Sequence, residues 1–368
     1  MSKQLGYKDG VDWLKNTSSQ GEFGDVSFWE KPIPDTKKSG ELDPRVYEMK
    51  QKERAAREEK KKESAEDVSI EAIRESMGFP NTDVTTSAIQ VHYTFARGRS
   101  GDIPIRIYTP PQEEKKPAVV YFHGGGFIGG SVDVVENACK CLAERAGAVV
   151  INVDYRLAPE HPFPAGLHDC YDVVLWVHEH ADKLGIHSGA ISVAGDSAGG
   201  NLANGCSVLD RNSGKSIIQF QALIYPVVLL DRKNDQLFQW DVSHYDIQNE
   251  EHRDLILADL IGMESGGELL SRLYCRDYPV TDTLLSPLLA ERLESLPDTL
   301  IVTSEYDYLR LEAEEYAKRL TKSGVSTSVI RYKGMDHAFI DKMGVYPQAE
   351  DCMEEIAKVV RSIGSVRK

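Results

Sequence analysis

The sequence predicts an α/β fold: a mostly parallel sheet of eight strands with helices on both faces. Three observations carry this. Four short apolar runs, at 118–122, 148–153, 191–194 and 220–225, are rich in β-branched residues and almost unalternated, as strands buried on both faces are. Helical stretches at 137–146, 167–184 and 197–210 lie between them, so strand and helix alternate. The alternation resumes late in the chain, with strands at 299–303 and 326–332 and helices at 309–322 and 349–362.

The remaining elements follow in chain order. Residues 1–85 differ from the rest: polar and turn-rich to about Asp43, then densely charged from Lys50 to Asp67. Mixed signs at three- and four-residue spacing favour a solvated helix with Pro44 near its start. A second short helix from about Asp67 is closed by Gly78 and Pro80. Residues 87–96 and 103–108 read as an antiparallel pair joined by Arg97 to Asp102, and they complete the count of eight strands. Between about 227 and 286 the alternation breaks into acidic, aromatic and helical sequence that includes Trp240, Tyr245, Leu255, Leu257 and Leu260. A long insertion of this kind in a compact domain usually covers a site. The expected organisation is therefore a mostly helical segment over 1–85 that contributes to a cap, and a main α/β domain over 86–368 carrying a cap insertion at about 227–286. The final strand is expected at a sheet edge, which leaves a homo-oligomer open.

At 368 residues the chain suits one large domain with an accessory segment. Its 43 Lys and Arg against 58 Asp and Glu give a formal net charge of −15, which repels nucleic-acid backbones and anionic membranes. The opening residues Met1 to Gly6 have no apolar signal region, and no stretch has the ~18 apolar residues that span a bilayer, so a cytoplasmic protein is expected. The six cysteines include no C-x-x-C pair, which points to buried thiols rather than a disulfide framework or zinc site. His178 and His180 lie two apart on a helix and point in different directions, so no metal site is expected there.

The strongest chemical signal is Gly195-Asp196-Ser197-Ala198-Gly199-Gly200, directly after an apolar strand and opening a helix. A strand–elbow–helix of this form lifts the serine above the sheet edge, and a hydroxyl there becomes a useful nucleophile only when a base takes its proton. The second signal is His123-Gly124-Gly125-Gly126-Phe127, also directly after a strand. Glycines allow backbone N–H groups to converge where an oxyanion develops. Gly125 and Gly126, with Ala198, are the expected donors, while Gly124 shapes the turn and His123 anchors it. A glycine-rich phosphate cradle is the rival reading, but the chain has no G-x-x-x-x-G-K run. An acid and a histidine are required later in the chain, and Asp307 and His337 each follow a strand, giving the order Ser, Asp, His. Asp336 and Glu305 compete with Asp307 for the acid's place. Phe127 and Asp196 are expected to contact substrate, with core or lid packing an equal alternative for Phe127. The loop from Tyr155 to Ala165, stiffened by three prolines, is expected to support the site.

These residues resemble the hormone-sensitive-lipase family of α/β-hydrolases, specifically its bacterial-type carboxylesterases. The resemblance covers about residues 85–365 and rests on the two glycine motifs, on Tyr155 to Ala165, on Ser286-Pro287-Leu288-Leu289-Ala290, and on the Asp307 and His337 loops. It implies a helical cap and cofactor-free hydrolysis of small-molecule, short-chain acyl esters. The sequence departs from the family's D-P-L-R-D-E run: Tyr308 replaces the proline and Leu311 the first acid, while Glu312 keeps the second. Two other functions use the same elements, an amidase or formamidase with the same three residues and a non-catalytic ligand receptor on the same fold.

Overall fold

A computed structural model describes residues 4–34, 36, 38–61, 69–111, 114–230 and 239–366. Parts of three expectations lie outside these residues: the charged run beyond Lys61, the first residues of the second short helix, and 231–238 of the insertion.

The chain begins with α1 (Tyr7–Asn16), β1 (Ser19–Gln20), β2 (Ser27–Lys31), α2 (Pro44–Lys61) and α3 (Ile70–Glu75). The hairpin β3 (Gln90–Gly98) and β4 (Gly101–Thr109) follows, then β5 (Lys116–Phe122), α4 (Glu136–Ala146), β6 (Val149–Val153) and α5 (Ala165–Glu179). Next come β7 (Ile186–Asp196), α6 (Ala198–Ser213), β8 (Ile218–Ile224) and the long insertion helix α7 (Glu250–Cys275). The chain closes with β9 (Asp298–Tyr306), α8 (Arg310–Lys322), β10 (Thr327–Asp336) and α9 (Pro347–Val366). Every apolar run read as a strand is one, because each is buried from both sides: β6, for example, is buried at all five positions.

The strands form one sheet in the order β1-β2-β10-β9-β8-β7-β5-β6-β4-β3. From β6 through β10 the pairs are parallel, and β3–β4 and β4–β6 are antiparallel. Helices α1, α4 and α9 pack together on one face, and α5, α6 and α8 lie on the other. This arrangement puts the ends of β5, β7, β9 and β10 side by side along one rim, where an open α/β sheet binds its ligands.

Two expectations change. The sheet has ten strands rather than eight, and β10 is not an edge: β2 pairs with it in parallel from Ser27 to Lys31, and β1 pairs with β2. The N-terminal segment is therefore partly β, although its polar composition hides this. Phe28 is its buried apolar residue on the sheet, and Lys31 is buried with its ammonium group 3.0 Å from Asp351 and 2.6 Å from Glu355 while donating to Leu14 O at 2.9 Å. The charged helix begins at Pro44 as predicted, yet Lys50 is not solvated, its side chain being 10% exposed between two carboxylates.

Candidate active site

Each candidate residue sits immediately after a parallel strand. Ser197 follows β7 with φ 55 and ψ −117, a backbone conformation that costs on the order of 1–3 kcal/mol and persists only where its surroundings enforce it. The enforcement is local. The Ser197 N–H donates to Ile224 O at 2.8 Å, its carbonyl accepts from Val227 N at 3.2 Å, and a Cβ on Gly199 would overlap the Phe122 carbonyl. Asp307 follows β9 and is fully buried, with Oδ1 accepting from Leu309 N at 2.9 Å. His337 follows β10. Its Nδ1 lies 2.7 Å from Asp307 Oδ2 and its Nε2 lies 3.0 Å from Ser197 Oγ. The three residues predicted from their order in the sequence thus form one hydrogen-bonded chain.

The electrostatics of the imidazole follow from its neighbours. Burial alone would push the His337 pKa down, but the Asp307 carboxylate beside it and their hydrogen bond, with Asp196 and Asp341 close by, leave it above the ordinary imidazole value. The Tyr225 ring packs 4.8 Å from the His337 ring. Both rival acids are engaged elsewhere. Glu305 pairs with Lys333 and accepts from Gly334 N at 2.7 Å, and Asp336 pairs with Lys50 at 2.6 Å.

The glycine loop follows β5. Gly125 has φ 117, a region that residues with a Cβ rarely enter, and this turns the loop across the end of β7. Among the described residues, the N–H groups of Gly125 and Gly126 donate to no protein acceptor. Ala198 opens α6, where the first N–H groups lack intrahelical partners. His123 is buried, with Nδ1 2.8 Å from Gly124 O, and burial lowers its pKa to about 4, so it stays neutral. Tyr155 stacks on that ring and donates its hydroxyl to His123 O at 2.6 Å. The Tyr155 to Ala165 loop thus braces the glycine loop from behind.

The two expected substrate contacts differ. Phe127 and Asp196 both line the cavity above Ser197, which measures about 420 Å³. Phe127 lies flat against Tyr274, ring centroids 3.9 Å apart, as part of the wall. Asp196 commits Oδ1 to Gly124 N and the Tyr121 hydroxyl, both at 3.1 Å, so its carboxylate holds the glycine loop against β7. Burial and the neighbouring Asp341 push its pKa upward.

Other residues complete the site. Met77 and Phe79 of the N-terminal segment and Met263 and Leu270 of α7 line the cavity. Tyr245 donates to Asp307 O at 2.8 Å and accepts from Trp240 Nε1 at 3.1 Å. Trp240 stacks on Tyr308, 4.9 Å between centroids, so the departure at 308 has a packing role under the insertion. Glu312 accepts from Val228 and Leu229 N–H groups and fixes the start of that insertion. Among the described residues, no group of three His, Cys, Asp or Glu side chains is placed to hold a metal ion, and no helix is long and apolar enough to cross a membrane.

Comparisons with known proteins identify the family. A family defined by the α/β-hydrolase fold matches residues 119–341. An arylesterase of Saccharolobus solfataricus is 36% identical over 240 residues, 65% of this chain and 73% of its own. The esterase LipI of Mycobacterium tuberculosis is 33% identical over 290 residues, 77% of this chain and 86% of its own. The hyperthermophilic esterase of the archaeon Pyrobaculum calidifontis superposes with a TM-score of 0.72 at 33% identity, covering 88% of this chain and 98% of that one. The chain belongs to the α/β-hydrolase family, in its hormone-sensitive-lipase-like group of carboxylesterases.

Proposed function

We propose that the protein is a serine carboxylesterase that cleaves short-chain acyl esters through an acyl-enzyme intermediate. The observation that carries this reading is the hydrogen-bonded chain from Asp307 through His337 to Ser197, which opens on a cavity that Gly125 and Gly126 also line. A carboxylate can only accept, so Asp307 takes the Nδ1–H of His337 and leaves Nε2 free to accept the Ser197 proton. Ser197 Oγ then attacks the ester carbonyl carbon as that proton passes to His337. The carbonyl oxygen becomes an oxyanion facing the N–H groups of Gly125, Gly126 and Ala198. Collapse of the tetrahedral intermediate expels the alcohol, which takes the proton from His337, and water repeats the sequence to release the acid.

The chain-length reading is supported by the cavity. Its volume of about 420 Å³ lies near the lower end of small-molecule sites, and Met77, Phe79, Val227, Leu230 and Leu270 give it apolar walls. The N-terminal segment and the insertion, which supply much of this wall, act as the cap. Six free, buried cysteines suit a reducing, cytoplasmic setting.

Turnover of p-nitrophenyl esters of increasing acyl length, run beside matched amides, tests the proposal. The expected profile peaks at short acyl chains and favours esters over amides. A preference for the amides would move the reading to an amidase with the same three residues. No turnover and no labelling of Ser197 by a fluorophosphonate would leave only a ligand receptor on this fold.

A further inference from the structure

The proposed reaction uses nothing before residue 76, yet the N-terminal segment reaches the histidine loop by a specific route. Gly40 O accepts from Gln248 and Asn249 N–H groups just before α7, and Leu42 N donates to His252 Nδ1 within it. One residue later Asp43 N donates to Gly334 O at 2.9 Å, three residues before His337. Tyr47 then stacks on His252 with centroids 4.0 Å apart. Along residues 40–47 the chain thus touches the insertion helix and the end of β10 in alternation.

The series ends at Lys50, one turn further along α2. Its ammonium group lies 2.6 Å from Asp336 Oδ2 and also contacts Asp259 Oδ2 of α7. Asp336 immediately precedes His337. Asp259 is four residues, hence one helical turn, before Met263 in the cavity wall, and Glu53, three residues after Lys50, lines the same cavity. Lys50 and Asp336 are nearly buried, and a buried pair of this kind is broken only at the cost of an uncompensated charge. A surface helix has no need of such a residue.

We propose that Lys50 is a positioning residue: through Asp336 it fixes the loop that carries His337, and through Asp259 it holds α7 closed over the cavity, so the N-terminal segment is a working part of the site. The proposal takes the Ser197–His337 pair from the reading above.

The test uses the full chain and a fluorophosphonate probe. Its labelling step needs only that pair: Ser197 Oγ displaces fluoride from phosphorus as the serine proton passes to His337. The maximal labelling rate reads the His337 arm and the half-saturating probe concentration reads the α7 arm. Lys50→Met is expected to lower the maximal rate by about 10- to 100-fold, the scale of a misplaced catalytic group. Lys50→Arg, which can still bridge both carboxylates, is expected to restore most of it. Asp259→Asn is expected to raise the half-saturating concentration more than it lowers the maximal rate. A folded Lys50→Met protein labelled like wild type overturns the proposal. Should that variant fail to fold, Asp259→Asn decides: an unchanged half-saturating concentration, or an equal change in both constants, overturns it. Wild-type protein that labels normally but cleaves no ester would defeat the ester reading alone.

Discussion

The rim loops that carry the proposed triad and the segments that roof them are held by different forces. At the rim, backbone fits against backbone: the Ser197 turn is locked by Ile224, Val227 and the Phe122 carbonyl, and Asp307 has no exposure at all. Over the roof, long side chains reach between elements. Arg74 of α3 donates to Ile128 O at 2.6 Å and Ala158 O at 3.0 Å while pairing with Glu160, and Lys50 bridges α7 and β10. The rim admits one geometry, whereas the roof rests on a few replaceable contacts. Substitutions at the rim should therefore remove chemistry with the fold intact, and those in the roof should act in graded steps on stability and binding.

The largest expected effect is at the rim. Ser197→Ala should lower ester turnover by about 10⁶ with an unchanged circular dichroism spectrum, and near-normal turnover would remove Ser197 from the mechanism. Asp307→Asn should cost about 10⁴ in kcat, because an amide facing Nδ1 favours the wrong imidazole tautomer. A loss no greater than a few-fold would reassign the acid.

The N-terminal segment supplies the contrasting case. Phe28→Ala empties a buried position on β2 and should lower unfolding free energy by about 3 kcal/mol, read from a urea titration, while kcat of the folded enzyme falls far less than in either rim variant. An equal collapse of kcat would erase the distinction between the two regions. Arg74→Ala, at a partly exposed position, should raise KM more than it lowers kcat in steady-state assays.

The smallest effect is one of pH. His337 must be neutral to accept the serine proton, and its neighbours hold its pKa above the usual value of about 6.5. The acid limb of kcat/KM should therefore fall with decreasing pH at a midpoint above that value. A midpoint at or below it would mean that Asp307 does not stabilise the imidazolium.

Much of this molecule follows from the sequence itself. Short unalternated runs rich in β-branched residues and bounded by turns fit strands buried from both sides, and the motifs at 123–127 and 195–200 each fit a tight turn at a strand end, so the parallel sheet, its rim and the positions of Ser197, Asp307 and His337 are legible in residue type and order. The roof is different. Nothing in the polar stretch before Asp43 marks β2 as a strand, because its pairing with β10 arises across some 300 residues and Lys31 is buried against carboxylates of α9 and the Leu14 carbonyl. Lys50 reads as one more charge on a solvated helix until the fold brings Asp259 and Asp336 to it. Local preferences are written in neighbouring residues, whereas a contact between distant side chains has no signature until the chain closes, and for that reason only the tertiary structure decided how the cavity is covered.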